Sequence, residues 1–215
     1  MTIAFYYGSG SPYAWRVHFA LEHKALPYDR KILSFSAGDT RKPEFVALNP
    51  RHRVPTIVDG DFVLYESNAI VEYLDEAYPG RGQPLFPGNV QIRALIRRLV
   101  CEVDSYMMDA ADKVIDQAFY TKPEERDEVK LAEGKKEVME EYRLFTKAMR
   151  GEFLAGPLSA ADYALYPMVA FMNRCEVKCP DLNANAMLTP ELAAWKARME
   201  ALPYFDGTIP PHWRQ

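Results

Sequence analysis

The run Pro79-Gly80-Arg81-Gly82-Gln83-Pro84, continued by Pro87-Gly88, divides the chain into two parts with different structural plans. Proline removes a backbone donor and glycine frees φ, so such a cluster interrupts helix and strand alike. Before it, short apolar runs alternate with helical periods. Residues 3–7 are apolar and aromatic, as a buried strand requires. Ser11-Pro12 reads as an N-cap followed by Pro at the first helical position, and Tyr13, Val17, Ala20 and Leu21 follow at helical spacing. Residues 28–33 read as a second strand and 34–42 as a polar loop. Thr56-Ile57-Val58 and Phe62-Val63-Leu64-Tyr65 flank Asp59-Gly60-Asp61, a tight-turn signal. A helix from Ser67 to about Tyr78 then carries Ile70, Tyr73, Leu74 and Ala77 on one face.

After the linker the strand signals stop. Ile92, Leu95, Ile96, Leu99, Val103, Tyr106 and Ala110 recur at three- and four-residue steps, which predicts a long amphipathic helix. A second follows Pro123, with Leu131, Val138, Tyr142, Phe145 and Met149 facing inward, and further helices cover 159–174 and 189–202. The division is therefore an α/β domain over 1–78, a linker over 79–88 and an all-helical domain over 89–215.

With 215 residues and 48% hydrophobic content, the chain can bury a substantial core. A net charge of -4 argues against binding nucleic acid, which needs an excess of cations. No apolar stretch reaches the length that spans a bilayer, and Met1 to Gly8 lacks the basic start and apolar core of a signal peptide. The three cysteines, Cys101, Cys175 and Cys179, suit a reducing compartment, so a cytoplasmic location is expected. Cys175 and Cys179 could share a helix face. With four histidines in the chain and no second ligand pair, the expectation is reduced, mostly buried thiols and no metal.

Three segments of the first part carry chemistry. Ser11-Pro12-Tyr13-Ala14 puts a hydroxyl at a helix N-terminus, where free N–H groups and the helix dipole favour an anion. With no cysteine at either end, dithiol exchange is excluded there, but the hydroxyl can donate to a thiolate from elsewhere. Lowering a thiol pKa from ~8.5 by ~2 units takes about 2.7 kcal/mol. A charge-assisted hydrogen bond contributes roughly 1.5–3 kcal/mol and a helix terminus about 0.3–1, enough together. Ser11 reads equally well as a plain N-cap. In the second segment, Val54-Pro55-Thr56, a proline at the head of a strand demands an edge or a special peptide bond. In the third, Ser67 is a candidate N-cap whose helix terminus could hold a carboxylate, and Glu66 could accept from an ammonium. That pair suits the α-amino-acid end of a γ-glutamyl group; simple helix capping is the alternative.

Taken in order with the linker and the helices, these segments resemble the cytosolic glutathione transferases, in a serine-type bacterial form (theta-, zeta- or beta-like). Gly156-Pro157-Leu158-Ser159-Ala160-Ala161-Asp162-Tyr163 adds a match: it looks like that family's capping box, Ser159 capping and Asp162 bonding back, with Leu158 packed on Tyr163. The resemblance covers nearly the whole chain. It implies a thioredoxin-like βαβ-α-ββα domain followed by an all-α domain. It also implies a detoxifying transferase that takes glutathione as cosubstrate, with no bound cofactor.

By that resemblance Ser11 stabilises the glutathione thiolate, with Ser9 and the strand-end Tyr6 or Tyr7 as alternatives. Val54 would pair through its backbone with the cysteinyl residue, Pro55 being cis. Glu66 and Ser67 would hold the γ-glutamyl end, and Arg53 or His52 the glycine carboxylate. An apolar electrophile would lie between the domains against Tyr7, Tyr106, Met107 and Phe171. A homodimer is implied, with neither nucleic acid nor membrane as partner. The same site could serve a glutathione-dependent isomerase, a dehalogenase, an ether-cleaving enzyme or a non-catalytic binding module. Ser11-Pro12-Tyr13 departs from the Ser-Ser-Cys usual in zeta-type isomerases. Omega-type thiol chemistry would need Cys at position 11.

Overall fold

Alternate residues of the first strand are buried, and the sheet is built around it. β1 (Ile3–Gly8) hides Ile3, Phe5 and Tyr7. In the computed structural model, which describes residues 2–214, β2 (Tyr28–Leu33) pairs parallel to β1 on one side. β3 (Thr56–Asp59) pairs antiparallel to β1 on the other, and β4 (Phe62–Tyr65) completes a hairpin, giving the order β2-β1-β3-β4. The parallel β1–β2 pair needs a crossover, and α1 (Pro12–His23) supplies it. α2 (Pro43–Val46) is a single turn within the connection to β3, and α3 (Ser67–Ala77) packs against α1. This is the thioredoxin-like order expected from the alternation of patterns. The segment read as a loop ends in a short 3-10 turn at Asp39–Arg41, followed by α2.

The chain divides into two compact units: Met1–Phe86 with Pro203–Gln215, and Pro87–Leu202. The first boundary lies beyond the expected 78 for a specific reason. The carboxylate of Asp75 on α3 takes the buried ammonium of Lys24 at 3.1 Å and the amides of Leu85 at 2.9 Å and Phe86 at 3.2 Å. Leu85 and Phe86 are then buried, so this part of the predicted linker belongs to the first core. The C-terminal segment also belongs there. α9 (Phe205–Thr208) lays Phe205 beside Phe19 of α1, with ring centroids 6.2 Å apart.

The second unit is helical. α4 (Val90–Glu102), a π turn at Val103–Met107, α5 (Met108–Ile115) and a second π turn at Asp116–Tyr120 follow one another without a break. α6 (Glu128–Ala148) packs on α5, and α7 (Ala160–Glu176) is buried along nearly its whole first half, touching α4, α5 and α8 (Pro190–Glu200). Trp195, Tyr142 and Tyr163 are its bulkiest fully buried side chains. Cys175 and Cys179 are buried and Cys101 is exposed, all as free thiols. Burial pushes the Cys175 thiol up to about 12, which keeps it protonated and inert. No described helix is long and apolar enough to cross a membrane.

Candidate active site

Ser11 occupies the N-cap of α1, as its place before Pro12 predicts. Its backbone is extended, and its Oγ accepts from the Ala14 amide at 3.3 Å, near the long limit for such a bond. The first turn of α1 carries no acidic side chain, so none of its own residues neutralises the positive end of the helix. Ser11 is half-buried and retains its hydroxyl proton for a partner. A narrow cavity lies beneath it, lined by Tyr7, Ser9, Ser11, His18 and Arg30 and closed by the C-terminal segment; its free space is about 10 Å³, room for about one water.

Burial, and after it the Arg30 guanidinium, holds the His18 imidazole down to about 4, so it is neutral at pH 7. Its Nε2 lies 2.7 Å from the Tyr28 hydroxyl, which in turn donates to Glu22. Tyr7 stacks on Phe5 with centroids 5.2 Å apart and is nearly buried.

The Val54–Pro55 peptide is cis. The turn around it is held by the buried Asn49, whose amide nitrogen donates to the Arg53 carbonyl at 2.8 Å and to Thr56 Oγ1 at 3.1 Å. His52 sits at φ 57 with Nδ1 3.3 Å from the Thr40 carbonyl oxygen, so its ring serves the turn; Arg53 is exposed. Of the two candidates for a glycine carboxylate, Arg53 therefore has the less committed side chain.

Ser67 is not the N-cap of α3. That position belongs to Glu66, whose backbone stands at φ 72 and ψ 109 and whose side chain makes no capping bond. Such a conformation costs a non-glycine residue about 1–3 kcal/mol and is most often kept where function requires it. Ser67 is instead the first helical residue, and its Oγ accepts from Arg16 Nη1 at 3.3 Å. The same guanidinium donates to Asn68 Oδ1, and its carbon lies 5.4 Å from the centre of the Tyr13 ring. Buried Arg16 thus fastens the head of α3 to α1. Arg16, Asn49 and Asn68 were not singled out from the sequence. An arginine one turn into a helix that starts with a candidate site serine was the available signal for the first.

The electrophile-pocket candidates of the second unit differ in exposure. Met107 is fully buried and fills the helical core, whereas the adjacent Tyr106 is 61% exposed. A π turn at Val103–Met107 interrupts the regular helical period at these two positions. Tyr106 borders a surface hollow with Arg98, Glu102, Glu141 and Leu144, which is mixed in polarity rather than apolar. Phe171 stacks on Phe119, with centroids 5.5 Å apart.

Residues 10–77 match the family model for the glutathione S-transferase N-terminal domain, and residues 111–203 that for the C-terminal domain. Glutathione S-transferase A of Pleuronectes platessa is 30% identical over 96% of this chain and 91% of its own length. The chain belongs to the glutathione S-transferase family. Its fold is likewise that of solved members. A glutathione S-transferase from the Antarctic clam Laternula elliptica superposes with a TM-score of 0.82 at 33% identity, covering 100% of this chain and 95% of that one. The theta class enzyme of Xanthomonas axonopodis pv. citri, solved with glutathione bound, does so with a TM-score of 0.78 at 26% identity over 97% of each chain.

Proposed function

We propose that this glutathione transferase conjugates glutathione to an apolar electrophile, with Ser11 as the hydroxyl that holds the thiolate. The observation that carries the assignment is the state of that residue. It caps α1 through one long bond, keeps its proton, and stands at a helix end whose first turn holds no acid.

The tripeptide would lie along the heads of α1, β3 and α3. Glu66 and Ser67 would receive its α-ammonium and α-carboxylate, Arg16 keeping Ser67 in place. The backbone of Val54, ahead of cis-Pro55, would pair with the cysteinyl residue, and Arg53 would meet the glycine carboxylate. The sulfur then comes to Ser11. The Ser11 hydroxyl and the free amides of α1 favour its ionised form, and the thiolate attacks the electrophilic carbon. Ser9 and the tyrosines at the end of β1 are weaker choices: Ser9 is bonded to His212, and Tyr7 is nearly buried. A homodimer working in the cytoplasm completes the reading.

Ser11→Ala tests it. The thiolate absorbance of bound glutathione should fall at neutral pH, and turnover should drop roughly 10- to 100-fold, the worth of one charge-assisted hydrogen bond. Unchanged absorbance and turnover would remove Ser11 from the mechanism.

A further inference from the structure

The C-terminal segment brings an imidazole to the turn that precedes Ser11. Ser9 Oγ lies 2.5 Å from Nδ1 of His212. The contact is not an accident of a loose end, because the segment is clamped on both sides of it. Trp213 meets Trp15 of α1 edge to face, with centroids 5.3 Å apart, and the Trp15 indole N–H donates to Thr208 at 2.9 Å. The approach is so close that a Cβ on Gly10 would come within 2.9 Å of the His212 ring and 3.3 Å of the Trp213 nitrogen, and Gly10 itself stands at φ 87. Glycine at position 10 thus suits both the turn and the docking of the tail.

Two hydroxyls therefore flank Gly10 and line one cavity, and their partners differ. Ser11 accepts a hydrogen bond and keeps its proton to give. With a neutral His212 carrying its proton on Nε2, Ser9 gives its proton to Nδ1 and turns its lone pairs outward. One hydroxyl is then set to donate to a thiolate, and the other to accept from a thiol.

We propose that His212, acting through Ser9, is the positioning residue that receives the proton lost when bound glutathione ionises. The thiol S–H proton passes to Ser9 Oγ as the Ser9 proton passes to His212 Nδ1. The products are a thiolate at Ser11 and an imidazolium on the tail. After the sulfur has bonded to carbon and the leaving group has departed, the imidazolium returns its proton to water and the neutral pair is restored. Imidazole is the side chain whose ordinary chemistry takes up and releases a proton near neutrality, which suits it to this exchange. The other titratable groups at the turn do not substitute for it. His18 of α1 is held near 4 and bonds Tyr28, Arg30 of β2 lines the cavity as a cation, and Tyr7 of β1 stacks on Phe5. Arg214 follows Trp213 in the tail itself and has no proton-accepting capacity at neutral pH.

The inference rests on the assignment of the thiolate to Ser11, and the experiment separates the two. The pH dependence of kcat/KM and of bound-thiolate absorbance would be measured for the full chain carrying His212→Asn, Ser9→Ala or Ser11→Ala. Asparagine can still hydrogen-bond Ser9 but takes no proton. His212→Asn and Ser9→Ala should move the acid limb of both profiles up by about one pH unit, a roughly tenfold loss of rate at pH 6, with glutathione Kd changed less than about twofold. Wild-type profiles in both variants, alongside a damaged Ser11→Ala, would overturn the role of His212 and leave Ser11 standing. A Ser11→Ala variant of wild-type behaviour would instead overturn the assignment beneath it.

Discussion

Two serines among the described residues are N-caps of helices, and they have opposite fates. Ser159, before α7, is fully buried; its amide and its hydroxyl both donate to Asp162 Oδ2, at 2.9 and 3.0 Å. The other oxygen of Asp162 accepts from the Leu154 amide at 3.0 Å and the Trp195 indole at 2.9 Å. Ser11, before α1, has Ala14 where Ser159 has Asp162, and its hydroxyl holds one bond of 3.3 Å. The residue three positions after the cap decides between the two. An acid there closes the box and neutralises the helix end, which serves folding. An alanine leaves the hydroxyl with one long bond and the helix end without an acid.

The strongest way to break the contrast is to strip Ser159 of its acid. Asp162→Ala leaves four buried donors without their acceptor at once, and should cost about 3–5 kcal/mol, read as a lower denaturant midpoint with early hydrogen exchange in α7. A loss under ~1 kcal/mol would mean that the box is dispensable and the two helix starts are alike.

Acid should separate the two units by a somewhat smaller margin. His18 on α1 is held near 4 in the folded chain, below its ordinary 6.5, so it favours folding above pH 6.5. That contribution is lost as pH falls toward 4 and amounts to roughly 3 kcal/mol across the window. Asp162 runs the other way. Burial raises it to about 6 against four opposing hydrogen bonds, so its contribution is present below its ordinary value and lost as pH rises through 6. Between pH 6.5 and 4, exchange protection should therefore fall in α1 more than in α7. Equal loss in both, or a loss in α1 that survives His18→Gln, would refute the assignment.

The smallest effect sharpens the comparison most. Ser11→Ala should lower stability by about 1 kcal/mol or less, since a half-exposed cap with a long bond has little to lose. Thermal unfolding of this variant beside Ser159→Ala should show the Ser159 change as clearly larger. The reverse order would make Ser11 the structural cap.

What could be read from sequence was whatever local pattern encodes. The alternating strands, the hairpin at Asp59-Gly60-Asp61, both serine caps and the box at Ser159 depend on neighbours within a few positions. Ser67 failed as a cap because its hydroxyl is taken by Arg16, 51 positions earlier in the chain. The π turn at Val103–Met107 left no sign in a pattern read at a period of 3.6. The bond between His212 and Ser9 spans 203 positions, beyond the reach of any local pattern.

That tail has a consequence for how the protein is made. Residues 203–214 leave the ribosome after the whole of the second unit, yet they cover Trp15 and Phe19 in the first. At synthesis rates of about 5–20 residues per second, the interval from Phe86 to Pro203 lasts roughly 6 to 23 seconds. For that time a nascent first unit presents an uncovered aromatic face of α1, a natural handle for a chaperone. The first unit is begun early and covered last.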